Sequence, residues 1–406
     1  MGENRQLKFF YGYIIVVAAF LIMTIMWGSV YVFGVFFEPL LTEFGWSRAM
    51  TSGAFALSFV MLGLLGIVSG RMTDCYGPRK VVTVCGLFLG SGYLLISQTS
   101  AIWQIYLFYG VIVAIGMSGV FVPLSSTVAR WFIKRRGLMT GVVASGVGAG
   151  TVIMPLVANW LNSIYGWRNS YIILGVTVLV LVTLIAQFLR RDPSQTGQSP
   201  YGESELGEKV GLLTEGFSLP GALHTRQFWM IAGALICFTL NLGVVMVHIV
   251  PYAISLEVSA TGAAGILALV GGLSIVGRVF MGMVGDRIGN KPALLIAFVL
   301  MSLSFFWLLA TKELWMLSLF AVIFGFSYGS LSALISPTLA EHFGLGSLGA
   351  ILGFLTFGLE SGNGVGPVLV GYLVDVSGSY QTAFLACALV SLLSIILILP
   401  LRPIRR

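Results

Sequence analysis

GRMTDCYGPRK, residues 70–80, returns in weaker form as GMVGDRIGNK, residues 282–291. Each copy sets a glycine, an aspartate four positions on, a second glycine three positions later and a basic residue two beyond that. The residues are Gly70, Asp74, Gly77 and Arg79, then Gly282, Asp286, Gly289 and Lys291, all displaced by 212 positions. The same displacement carries Pro39 onto Pro251, Gly137 onto Gly349, Gly141 onto Gly353, Gly146 onto Gly358 and Pro155 onto Pro367. Matches spread over most of both halves mark a chain made of two copies of one unit.

The composition identifies the solvent of that unit. The 406-residue chain is 57% hydrophobic and only 9% charged, where a soluble domain carries about 25% charged residues. The apolar runs are long rather than alternating, which excludes an outer-membrane barrel and indicates helices of about 20 residues. We read twelve spans: 10–38, 49–70, 79–98, 102–129, 137–160, 168–189, 227–252, 262–284, 291–311, 314–338, 346–373 and 379–400. No cleavable signal peptide precedes the first, so the N-terminus is expected to be retained. Cys75, Cys85, Cys237 and Cys387 have no metal or redox spacing, and no metal or cofactor is expected.

The formal charge of +7 has a topological explanation. Apart from Arg278, only Arg48, Arg168 and Lys312 fall in the loops of one side; every other Lys and Arg lies on the opposite side. The positive-inside rule then places both termini and the central loop in the cytoplasm, in the inner (plasma) membrane of the cell. Nucleic-acid binding is not needed to explain the charge. The domains follow: residues 1–189 form an N-terminal six-helix bundle, 190–226 a cytoplasmic linker whose end, GFSLPGALHTRQFW, reads as an interfacial helix, and 227–406 a C-terminal six-helix bundle. The expected fold class is an all-α integral membrane protein, twelve helices in two pseudo-symmetric bundles, and the expected state is a monomer.

The two glycine–aspartate loops resemble the loop signature of the major facilitator superfamily, and the resemblance covers the whole chain. It implies the major facilitator fold. It also implies a cytoplasmic latch built from Gly70, Asp74, Gly77, Arg79 and Lys80, with Asp286 and Arg287 in the second copy. Within the superfamily, several stretches resemble the bacterial monocarboxylate transporter and oxalate–formate antiporter branch. They are YGYIIV at Tyr11, YVFGVFFEPLLTEFGWSRAMTS at Tyr31, ARWFIKRRGLMTGVVASGVGAG at Ala129, YGWRNSYIILG at Tyr165 and HTRQFW at His224. That branch places an anion-binding arginine in span eight, where this chain has Arg278.

Arg278 is anomalous on physical grounds alone. It lies about 12 Å along the helix from Asp286, at 1.5 Å per residue. A charge at the bilayer centre costs about 2.5–3.5 kcal/mol on insertion scales, so it is expected to face a cavity. A guanidinium offers a planar fork of donors suited to one carboxylate. The resembled oxalate antiporters carry a second cation, a lysine in span eleven; here the run FLTFGLESGNGVGP has Glu360 instead. One fixed cation fits a small monocarboxylate such as lactate or pyruvate better than a dicarboxylate. The resembled animal transporters also have a lysine in span one and an aspartate four residues before the arginine. This chain has neither, and Ser274 stands at the latter position. Proton symport is therefore a family-level expectation, with Glu360 and His248 as the proton-coupling candidates. Tyr328, Asn241, Phe357, Ser274 and Tyr31 join Arg278 as expected substrate-binding residues, while Trp27 reads as core. Small faces around Gly146 and Gly277 are expected at the moving seam between the halves.

Three widely separated histidines and the absence of a hydrolase elbow or a nucleotide-binding loop exclude an enzyme and ATP-driven transport. The expected function is secondary transport of a small monocarboxylate across the lipid bilayer. The alternative is an organic anion antiporter of the oxalate/formate type.

Overall fold

The computed structural model describes residues 10–46, 48–202 and 216–402. Long apolar runs become helices because a backbone in hydrocarbon must satisfy its own N–H and C=O groups. The first half contains α1 (Gly12–Phe44), α2 (Arg48–Tyr76), α3 (Pro78–Ile96) and α4 (Ile102–Trp131). A 51-residue run, Arg136–Ala186, follows. At 1.5 Å per residue it would be about 75 Å long, far beyond the ~30 Å hydrocarbon core. Gly166 divides it, with φ 71° and ψ 167°, into α5 (136–165) and α6 (167–186). The sequence reading places a loop over 161–167, whereas the helix continues to this single glycine.

The second half contains α7 (Arg226–Ser255), α8 (Ala260–Ile288), α9 (Asn290–Leu309), α10 (Leu314–Phe343), α11 (Leu348–Ser377) and α12 (Tyr380–Ile398). Ten helices among the described residues are long and apolar enough to cross a membrane, the double-length run counting once. Dividing that run and adding the 30-residue α11 gives twelve. α4 is irregular, with a π-helical stretch at Tyr106–Val113 and a fresh start at Phe121. Pro123 explains the restart, since proline is tolerated in a first turn and not in a helix interior.

Buried apolar side chains fall into two clusters. One runs from Ile15 to Leu189, and the other draws on 222–401 with Val122 and Ala129. The central connection is fastened at both ends. Tyr201 pairs with the α4–α5 turn, its N–H donating to Trp131 O at 2.9 Å while its carbonyl accepts from Ile133 and Lys134. Phe217 N donates to Phe343 O at 2.8 Å, on the α10–α11 turn. The expected interfacial helix is a single short element, Leu219–Leu223, capped by Ser218 Oγ. Residues 203–215 of the linker lie outside the described residues.

Two seams join the clusters, α5 against α8 and α2 against α11. A Cβ at Gly137 would run into Gly282 O, one at Gly141 into Arg278 O, and one at Gly70 into Gly349 O. These helices touch backbone to backbone, as only small residues allow. Positions 271, 275, 278 and 282 share one face of α8 by helical spacing. Gly282, Arg278 and Ile275 touch α5 along that face, while Gly271 meets nothing within 4 Å. On α11, Gly349, Gly353 and Phe357 meet α2, and Gly364 meets nothing. Both seams are therefore closed toward the end bearing the basic loops and have parted one turn beyond Ile275 and Glu360. Gly146 and Gly277, expected at the seam, lie elsewhere. Gly146 packs on Phe20 and Met23 of α1, and Gly277 on Phe326 of α10, each inside its own bundle.

Candidate functional site

Where the seams part, a cavity of about 130 Å³ opens between the bundles. At roughly 10–15 Å³ per water, that is room for on the order of ten waters or one small organic acid. Its wall is mostly apolar, with Phe59 and Leu62 from α2, Val147 from α5 and Phe238 from α7 among the residues that form it. Among the described residues lining it, Arg278 is the one cation and Glu360 the one carboxyl group.

Arg278 is 2% exposed. Its Nη1 donates to Ser274 Oγ at 2.6 Å, and its guanidinium carbon lies 4.7 Å from the centre of the Tyr328 ring. Such a contact attracts the cation through the ring's negative face. Ser274, one turn earlier on α8, and Tyr328, on α10, thus hold the fork in place from within the same bundle. Among the described residues Arg278 makes no ion pair, and its Nε has no hydrogen-bond partner.

The repeat shows how the two ionisable groups are arranged. Arg278 corresponds to Gly66, and Glu360 to Gly148. Arg278 Nη1 would stand 3.4 Å from a Cβ at Gly148 on α5, and Glu360 Cβ 3.5 Å from one at Gly63 on α2. Each charged side chain therefore occupies a slot opposite a glycine of the other bundle. The cation belongs to the α5–α8 seam and the acid to the α2–α11 seam, so they share the cavity without being bonded.

The other expected site residues fall differently. Tyr328 lines the cavity, and Ser274 touches it only through Arg278. The face of α7 that meets the cavity is Phe238, Thr239 and Leu242. Asn241 consequently points away, is fully buried, and donates to Cys387 O of α12 at 3.2 Å. Phe357 lies on the α2 seam rather than in the cavity wall. His248 Nε2 lies 2.9 Å from Pro367 O and packs beside Tyr380, also outside the cavity. The Tyr31 side chain lies outside the described residues. Residues not expected are Trp27, Ser118, Thr239, Ser332 and Thr356, all of which line the cavity. The 212-residue displacement contained a signal for them. Trp27 with Thr239, Gly66 with Arg278, Ala144 with Thr356, and Val147 with Leu359 are equivalent pairs in which both members line it.

At the basic end, each loop aspartate crosses to the opposite bundle and caps a helix. Asp74 accepts from Gly349 N at 3.3 Å and Ala350 N at 2.9 Å, at the start of α11. Asp286 accepts from Gly137 N at 2.7 Å and Leu138 N at 2.8 Å, at the start of α5. A carboxylate on free N–H groups at the positive end of a helix dipole is a stabilising arrangement. The expected basic partners are not the ones used. Arg79 donates to Gln187 at 2.8 Å, and Lys80 and Arg287 are exposed. Arg130, from the end of α4, pairs with Asp74 at 3.0 Å and also reaches Gly346 O at 3.4 Å. Its repeat counterpart is His342, which turns back to Thr338 O of its own helix, so the two aspartate contacts are unequal. Asp74→Asn should keep the shape and lose the charge, weakening the closed end by about 1–2 kcal/mol. Amide exchange at Gly349 and Ala350 should quicken about tenfold or more; unchanged protection there would count against the latch.

At the far end, Arg168 pairs with Glu43 at 2.7 Å, and Trp167 Nε1 donates to the same carboxylate. The Arg168 and Trp167 hydrogen bonds hold the Glu43 carboxyl below its usual range. They tie the end of α1 to the α5–α6 turn.

Comparison with known proteins agrees with this architecture. The chain matches the Major Facilitator Superfamily over residues 19–284 and 231–406. It is 28% identical to monocarboxylate transporter 12 of Rattus norvegicus, over 96% of this chain and 85% of that protein. It is 27% identical to monocarboxylate transporter 4 of Gallus gallus, over 92% and 79%. Among solved structures it superposes on the proton:xylose symporter XylE with a TM-score of 0.74 at 16% identity, covering 95% of this chain and 94% of that one. The human organic anion transporter MFSD10 gives 0.72 at 14% identity, with 95% and 99% covered. At such identities these two structures speak for the fold alone.

Proposed function

The chain belongs to the Major Facilitator Superfamily and is a multi-pass membrane transporter of a small molecule; from that premise we propose that it carries small monocarboxylates, lactate or pyruvate among them, together with a proton. The observation behind this reading is Arg278, a buried cation without an acidic partner among the described residues, in a cavity sized for a small acid. The relatives named monocarboxylate transporters support the same substrate class. A dicarboxylate would bring two negative charges to one cation, with Glu360 in the same cavity, and is disfavoured by that count.

Charge balance supplies the coupling. In low dielectric an uncompensated charge is costly. The empty cavity is neutral with Arg278 positive and Glu360 negative. An anion bound to Arg278 leaves one surplus negative charge unless Glu360 takes up a proton. The loaded and protonated site is again neutral, so both the empty and the fully loaded forms can close, and the half-loaded forms cannot do so cheaply. His248, remote from the cavity, has no part in this scheme. The bundles alternate by parting at one end while the aspartate-capped end closes. With the basic loops and both termini cytoplasmic in the plasma membrane, as the charge distribution argues, the arrangement seen here faces outward. The transporter works as a monomer, with each bundle as one moving body and residues 190–226 as the tether.

The test is uptake into proteoliposomes of labelled lactate, pyruvate, propionate and oxalate, with pH set separately on each side. Monocarboxylates should accumulate when the outer medium is the more acidic, with oxalate inert. Uptake indifferent to the pH difference, but driven by a preloaded counter-anion, would replace symport with exchange.

A further inference from the structure

The chain between the bundles docks on both of them at the same place in the repeat. Tyr201 N donates to Trp131 O at 2.9 Å, and Phe217 N donates to Phe343 O at 2.8 Å. Trp131 and Phe343 are equivalent positions, 212 residues apart. Beside each docking residue a glycine lets the backbones meet. A Cβ at Gly202 would collide with Lys134 Cβ, and one at Gly216 would stand 2.8 Å from both Phe343 O and Gly346 N. The two turns used are those that lead into the capped helices. After the α4–α5 turn come Gly137 and Leu138, whose N–H groups meet Asp286. After the α10–α11 turn come Gly349 and Ala350, whose N–H groups meet Asp74.

The α4–α5 turn needs support. Arg135, the residue before α5, is held at φ 62° and ψ 25°, a left-handed conformation that is uncommon and costly for a residue with a Cβ. The α10–α11 turn has its positive φ at Gly344 instead, where it costs little. Two groups hold the strained turn. From within, Arg136 Nε donates to Ala129 O and Phe132 O, both at 3.0 Å. From the linker, Tyr201 O accepts from Ile133 N at 3.1 Å and Lys134 N at 3.0 Å. The Tyr201 ring lies 5.9 Å from the Arg135 guanidinium carbon and is seated on Phe10 and Phe132, with centroids 5.6 and 5.9 Å away.

We propose that the two ends of the central connection are part of the closing device: Tyr201 and, at the equivalent point, Phe217 hold the turns in the shape that presents the first N–H groups of α5 and α11 to the opposite aspartates. The connection then does more than tether the bundles, whatever the substrate. Strain makes the Tyr201 side the sensitive one. With Tyr201 lifted away, Arg135 relaxes toward negative φ, and the N–H groups of Gly137 and Leu138 turn off the Asp286 carboxylate.

The test uses the full-length protein with its four cysteines replaced and Gly271→Cys as the reporter of the open far end. Tyr201→Ala removes the ring that seats the segment, and Gly202→Val pushes the segment off Lys134. Each should slow labelling by an impermeant maleimide about threefold to tenfold, as expected when a strained residue loses its support. Amide exchange should quicken at Gly137 and Leu138 more than elsewhere in the bundle. Tyr201→Phe keeps the ring and should label like the starting protein. Arg135→Gly added to Tyr201→Ala should restore labelling to within about twofold, since glycine takes the positive φ unaided. A flexible Gly–Ser insertion after Gly207 leaves both docks in place and should change nothing. Unchanged labelling and exchange in either Tyr201→Ala or Gly202→Val would overturn the proposal. So would slowing that Arg135→Gly leaves uncorrected, or exchange that rises equally throughout the bundle, which would make Tyr201 a general stabiliser. An insertion that slows labelling as much as Tyr201→Ala would also overturn it, because the connection would then act through its length.

Discussion

Arg278→Gln is expected to lower saturable lactate uptake by about a hundredfold or more, and Arg278→Lys to fall between it and the wild type. A hydrogen bond to a charged group contributes about 1.5–3 kcal/mol. Losing a two-pronged guanidinium–carboxylate contact should therefore cost about 3 kcal/mol or more, at 1.4 kcal/mol per factor of ten. Lysine keeps the charge but not the fork, and it would lose the flat contact with Tyr328 and the bond to Ser274. Misfolding would not produce this pattern. Arg278 makes no ion pair among the described residues, so removing its charge breaks no bonded pair, and Glu360 in the same cavity can restore neutrality by taking up a proton. Thermal unfolding of the Gln variant should occur close to the wild-type temperature. Saturable uptake with an unchanged Michaelis constant in that variant would refute the anion site.

The sequence made the scaffold legible and left the face of each helix hidden. The repeat, the apolar runs and the basic loops depend on composition and spacing along the chain, which survive without coordinates. Whether a residue meets the cavity depends on a rotation of 100° per residue, and in spans that are apolar on every side no amphipathic stripe reports that rotation. Asn241 shows the consequence. It is polar and central in α7, yet it faces α12, while its neighbours Phe238, Thr239 and Leu242 face the cavity. Arg278 was legible because its charge is too costly to face lipid, so its orientation followed from energy rather than phase. Glu360 was legible for the same reason. Trp27 lines the cavity and was not legible, because indole suits a packed core as well as a cavity wall.

The contacts at the basic end were legible in their acids and not in their cation. Asp74 and Asp286 stand at fixed places in a repeated loop. Arg130 reaches Asp74 from the far end of α4, a contact made by tertiary packing and invisible to local spacing. The basic residues inside the motif, Arg79 and Arg287, owe their place to topology: they mark the basic side and turn outward or toward neighbouring loops.

The asymmetry of the site has a mechanical consequence, which Gly141→Leu should expose. Gly141 of α5 lies against the backbone of Arg278 itself; a Cβ there would collide with Arg278 O and stand 3.0 Å from its carbonyl carbon. Neither atom is the movable end of a side chain, so the helices must part. Overpacking of a close contact typically costs about 1–3 kcal/mol and sometimes more. A 3 kcal/mol penalty confined to the closed end would shift the balance between the two arrangements by roughly 150-fold. The protein should then favour opening at the basic end and closing around Gly271. With Cys75, Cys85, Cys237 and Cys387 replaced and Gly271→Cys added as a reporter, an impermeant maleimide should label Gly141→Leu at least about tenfold more slowly from the far side. Uptake should fall in parallel while the protein still reaches the membrane. Gly146→Leu is the control. It collides with Phe20 and Met23 of its own bundle, so it should damage folding rather than trap a state. Unchanged labelling and uptake in Gly141→Leu would mean that the α5–α8 seam does not open during transport, and that closure upon Arg278 is not the moving step.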